Sequence, residues 1–130
     1  MTGGTWQPGL VALDIDGTLL KWVEGAGATY EQIAPPVYEA VQRAIDAGCL
    51  FSVNERMLKT KRGRAYARAI PEGRLLIETD FPSKPTPMTI PQDVFPRLAR
   101  TMSLLTAARG DDERSLASAI AAVSKRLLLP

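Results

Sequence analysis

The chain has 130 residues, is 45% apolar and 23% charged, and carries a formal net charge of +2. These proportions suit a single globular domain, and so small a charge names no partner by itself. The lone cysteine, Cys49, excludes an intrachain disulfide framework and points to a reducing, cytoplasmic setting. With no histidine in the chain to serve as its base, Cys49 is expected to be a small core residue. The start MTGGTWQPG lacks a basic stretch followed by an apolar core, and no apolar run reaches the length of a membrane span. Neither secretion nor membrane spanning is expected.

Taken in chain order, the first element is a strand over Leu10 to Leu13, within the run LVALDIDGTLL. It stops at two aspartates spaced one apart. The two-residue period of a strand turns Asp14 and Asp16 to the same side, so two carboxylates converge on one spot. Such a pair suits Mg2+ or another divalent cation, which prefers oxygen ligands. One carboxylate can instead attack phosphorus while the other handles a proton, with the Thr18 hydroxyl close by. The plainer alternative is an Asp-Gly turn in which Asp14 is only a cap.

Pro35-Pro36 opens a helix whose apolar positions Val37, Ala40, Val41, Ala44 and Ile45 repeat at helical spacing, and Gly48 stops it. Cys49 to Val53 reads as a second strand. Basic residues then crowd Arg56 to Arg74, with a helix expected from about Thr60 to Ile70, ended by Pro71 and Gly73. That segment is either a solvated helix face or a contact for a nucleic-acid backbone. Leu75 to Thr79 is a third strand closing on Asp80. After a proline-rich loop, two helices are expected over about Gln92 to Ala108 and Glu113 to Leu128, with Asp111-Asp112 capping the last. Strands alternating with helices imply an α/β fold with a parallel sheet of about three strands and flanking helices. Asp14, Asp16 and Asp80 would then all stand at the carboxyl edge.

Two resemblances bear on these residues. The run Asp14-Ile15-Asp16-Gly17-Thr18-Leu19-Leu20 after an apolar strand resembles motif I of the haloacid dehalogenase (HAD) superfamily in its Cof-type phosphatases, and Ile33 to Gly48 is similar to that family's first helix. The resemblance covers residues 1–48 and implies Asp14 as nucleophile, Asp16 as acid/base and Thr18 as helper. From Gly48 onward, the blocks GCLFSVNERMLKTKRGRAYARAIPEGRLLIETDFP and RLARTMSLLTAARGDDERSLASAIAAVSKRLL resemble the carboxyl-terminal part of TatD-type metal-dependent hydrolases, many of them deoxyribonucleases. There the strand Leu75 to Thr79 would be the one ending in the family's last metal-site aspartate, so the resemblance implies Asp80 as a metal ligand or water-activating group.

The chain departs from both patterns. TatD-type sites begin with a His-x-His pair, and this sequence has no histidine. Where the HAD pattern has Thr-Gly-Arg after the second strand, Ser52-Val53-Asn54-Glu55-Arg56 stands instead. The resemblances thus describe one α/β domain joined near Ala47 to Cys49, incomplete beside either a HAD Rossmann-like domain or a TatD barrel. A full barrel takes about 250 residues. The expected activity is divalent-metal-dependent hydrolysis of phosphoesters, on a phosphorylated small molecule or DNA. The alternatives are a nucleic-acid-binding module and an inactive remnant that self-associates through uncovered sheet edges.

Overall fold

The computed structural model describes residues 35–81, 84 and 91–129. The strand read at Leu10 to Leu13, together with Asp14, Asp16 and Thr18, lies outside them. Helix α1 spans Pro35–Asp46, strand β1 Phe51–Val53, helix α2 Glu55–Leu58, helix α3 Lys61–Ala69, strand β2 Leu75–Ile77, helix α4 Phe95–Arg109 and helix α5 Glu113–Leu128. Short 3-10 turns at Glu72–Arg74 and Pro91–Val94 lead into β2 and α4.

β1 and β2 form a two-stranded parallel sheet in the register Phe51 to Leu75, Ser52 to Leu76 and Val53 to Ile77. The connection between them runs through α2 and α3, the crossover that parallel neighbours require. The expected α/β architecture with a small parallel sheet is therefore present. Both strands are shorter at their ends than the apolar runs that contain them, because a ladder extends only where its partner does.

Local chemistry sets the helix limits. Asn54 caps α2 by accepting from the Met57 amide at 2.8 Å, and Thr60 caps α3 by accepting from the Gly63 amide at 2.9 Å. Asp112 caps α5 by accepting from the Ser115 amide at 2.9 Å, as expected, while its neighbour Asp111 pairs with Arg109. Gly48 at φ 90° and Gly110 at φ 73° end α1 and α4 in the left-handed region that favours glycine. The turn after α1 lies at the surface from Ala47 to Cys49, which corrects one expectation. Cys49 is exposed rather than a core residue.

The core lies where the sheet meets the helices. Phe51 and Val53 of β1, Leu58 of α2, Ala67 and Ile70 at the end of α3, Leu75 of β2, Met102 and Leu105 of α4, and Leu116 and Ile120 of α5 form one buried cluster. Val41, Ala44 and Ile45 of α1 pack against its margin. Buried aliphatic side chains of this kind each contribute roughly 1.5–3 kcal/mol. The α2–α3 corner is tight. Gly63 faces the backbone carbonyl of Met57 so closely that a side chain there would overlap it.

Candidate functional site at the carboxyl edge of the sheet

Both strands run in the same direction, so the residues that follow them emerge at one edge. Asn54 follows β1, and Glu78, Thr79 and Asp80 follow β2. The Glu78 amide donates to the Val53 carbonyl at 2.9 Å, which continues the ladder one step. The Asn54 side-chain amide donates to the Glu78 carboxylate at 3.2 Å and ties the two strand ends together. The Thr79 hydroxyl accepts from the Phe81 amide at 3.1 Å, holding the turn that carries the exposed Asp80.

An open cleft of about 350 Å3 lies at this edge, lined by Asn54, Glu55, Arg56, Lys59, Thr79, Asp80, Phe81 and Arg97. Its cations come from two directions, Arg56 and Lys59 from the α2 segment and Arg97 from α4. Glu55 is engaged by Lys59 at 2.9 Å and by Arg100 at 3.0 Å. The hydrogen bond from Lys59 lowers the Glu55 carboxyl from its ordinary pKa; burial opposes it as the next largest effect, and the positive charges of Arg100, Lys59 and Arg97 act with the hydrogen bond. Arg97 sets its guanidinium 4.8 Å from the centre of the Phe81 ring, a cation–π contact. The cleft therefore presents two carboxylates beside an aromatic ring, Glu55 paired with Lys59 and Arg100, and Asp80 exposed near Arg56 and Arg97.

Of the site residues read from the sequence, Asp80 stands where its strand was expected to deliver it. Phe81 and Arg97 carry no signal in the linear sequence, whereas Lys59 belongs to the basic stretch read there and Asn54 signals only a helix cap. They converge from separate elements, and no single motif contains them. Among the described residues, no three His, Cys, Asp or Glu side chains stand close enough together to hold a metal ion. Asp80 alone does not make a divalent-cation site, since such ions take several oxygen ligands.

A family model described as TatD related DNase matches residues 35–129. The chain belongs to this family. The match begins at the first residue of α1, so that helix falls within the TatD-like region, upstream of the junction read at Ala47 to Cys49. Asp80 and every other residue lining the cleft also fall inside it. No curated protein and no solved structure matches the chain, and the HAD resemblance of residues 10–20 has no counterpart among these comparisons. Among the described residues no helix is long and apolar enough to cross a membrane.

Proposed function

We propose that this chain carries the closing βα units of a TatD-type metal-dependent hydrolase that cleaves phosphoester bonds in DNA. The observation that carries the reading is the position of Asp80. It follows β2 after Glu78 and Thr79, inside the matched region, at the carboxyl edge where parallel α/β sheets collect their reactive groups. Around it, Arg56, Lys59 and Arg97 supply positive charge suited to phosphate oxygens. Asn54 joins the two strand ends beside Asp80 through its bond to Glu78.

The described residues do not by themselves fit a divalent cation, so further ligands must join Asp80. Asp14 and Asp16 are the candidates in this chain, and a second subunit is the other source. Their paired carboxylates, with Thr18, are proposed to complete a cation site; the HAD-type alternative instead makes Asp14 a nucleophile.

The test is Mn2+ titration calorimetry on the whole chain, on Asp80→Asn and on Asp14→Asn/Asp16→Asn, with a parallel assay on single-stranded DNA. The reading expects cation binding that is lost in both variants. Binding that survives Asp80→Asn would reject Asp80 as a ligand, and phosphatase activity that needs Asp14 but not Asp80 would favour the HAD-type alternative.

A further inference from the structure

Beside the cleft, on the flank formed by α3 and α4, lies a second open groove of about 460 Å3 lined by Leu58, Lys59, Arg64, Arg68, Leu104, Ala107 and Ala108. Its floor is apolar. Leu104, Ala107 and Ala108 sit three and four residues apart on α4 and so share one face. Its rim is cationic, because Arg64 and Arg68 lie four apart on α3, and no carboxylate lines it. Lys59 lines both the groove and the cleft and so stands between them.

The geometry points to a track for single-stranded nucleic acid that leaves the Asp80 cleft, passes Lys59 and continues over Arg64 and Arg68. This inference rests on the nucleic-acid reading proposed above and adds a surface outside the reacting edge. The charge sequence favours a strand. Cations follow one another at Arg56, Lys59, Arg64 and Arg68, as a polyanion with a charge on every residue requires. The apolar floor offers contact to sugars and base faces, which are the uncharged parts of a strand. Arg64 and Arg68 are held in place, since each donates from one Nη to a backbone carbonyl, Arg64 to Leu58 at 3.2 Å and Arg68 to Ala108 at 3.3 Å. A guanidinium has five N–H donors, so a single carbonyl contact leaves others for phosphate oxygens.

The experiment measures binding of oligothymidylates of about three and about twelve nucleotides to the whole chain by fluorescence anisotropy across a salt series, in the presence of EDTA. The track predicts that the longer strand binds more tightly and with a steeper salt dependence. Arg64→Gln/Arg68→Gln should lower the salt slope for the longer strand by roughly 0.7 for each phosphate that is no longer neutralised, and leave the short one unchanged. Ala107→Glu provides a variant that leaves both arginines in place. It sets a carboxylate at an exposed position in the groove and should weaken the longer strand alone. Circular dichroism identifies any variant that fails to fold. If Ala107→Glu folds and binds both lengths as the parent does, the track is overturned while the cleft reading stands. Absence of oligonucleotide binding by the parent would overturn the track. Polyglutamate that binds as tightly as the longer strand and is weakened by Ala107→Glu would reassign the groove to acidic protein segments.

Discussion

Gly63 offers the sharpest test of the packing. It lies inside α3, where replacing glycine by alanine ordinarily stabilises a helix by roughly 0.5–1 kcal/mol. Here a Cβ would stand 1.9 Å from the Met57 carbonyl oxygen, 2.7 Å from its carbon and 2.9 Å from the Met57 Cγ. The oxygen cannot retreat freely. It accepts from the Thr60 amide at 3.2 Å and from the Thr60 hydroxyl at 3.0 Å, and these bonds form the turn that joins α2 to α3. Overpacking costs about 1–3 kcal/mol, and losing those two bonds adds roughly 1–2 kcal/mol. After subtracting the helix gain, Gly63→Ala is expected to destabilise the protein by about 2–4 kcal/mol, which lowers Tm by roughly 10 °C in a chain of this size. Thermal unfolding followed by circular dichroism reads the effect. Gly73→Ala is the matched control, because a Cβ there meets nothing within 4 Å; it should be neutral or stabilising by up to about 1 kcal/mol. A Gly63→Ala protein as stable as the parent would refute the close approach of α3 to α2.

Arg109→Ala should cost roughly 2–3 kcal/mol in urea unfolding, because its guanidinium is largely buried and donates to the carbonyls of Ala67 and Ile70 at 2.5 and 2.6 Å. Arg109→Lys should recover only part of this, since Arg109 serves both carbonyls from one Nη and Asp111 from Nε, and a single ammonium cannot occupy both nitrogen positions. Asp112→Ala removes the α5 cap and should cost about 1 kcal/mol in the same assay. Glu55, held below its ordinary pKa by Lys59 and Arg100, contributes stability that is fully present above the unfolded-state value of about 4.3 and is lost as pH falls through the lower folded-state value. Tm measured against pH should therefore fall less steeply at acid pH in Glu55→Gln than in the parent, and identical slopes would reject the pairing. Purified chain with Mg2+, Mn2+ or Zn2+ should show little or no deoxyribonuclease activity, because even a cation site completed by Asp14 and Asp16 lacks the histidines that a TatD-type site needs for in-line attack; activity abolished by Asp80→Asn would overturn that expectation.

Elements bounded by strong local chemistry were legible from the sequence. For α5 the Asp112 cap and the helical period gave Glu113 and Leu128, and the structure has the same limits. For α3, Thr60 and Pro71 bracket the helix to within a residue. α4 was expected from about Gln92 and begins at Phe95, because Pro96 suits the first turn of a helix and the residues before it form a 3-10 turn. α2 went unread, being four residues long and too short to show a period, although Asn54 followed by Glu55 is a cap signal. The site divides in the same way. Asp80 ends an apolar run and is visible to a linear reading, whereas Arg97 reaches the cleft only because α4 packs across α2.

The basic stretch Arg56 to Arg74 shows why charge counts alone misread this protein. Several of its arginines are tied to helix ends. Arg64 donates to Leu58 at the end of α2, Arg68 to Ala108 near the end of α4, and Arg74 to Gly48 just past α1 at 2.9 Å. Arg109, from outside the stretch, does the same for α3. Each places a cation at the negative end of a helix dipole and satisfies a carbonyl left without an intrahelical partner. Much of the positive charge therefore has a structural origin, and composition could not distinguish that from a nucleic-acid contact. The two roles separate by exposure. Arg109 is enclosed and committed to its two carbonyls, whereas Arg68 is exposed and holds one long bond. Replacing Arg68 should change stability little and strand binding measurably. Replacing Arg109 should do the reverse, and a protein in which both substitutions changed only stability would place the whole basic stretch on the structural side.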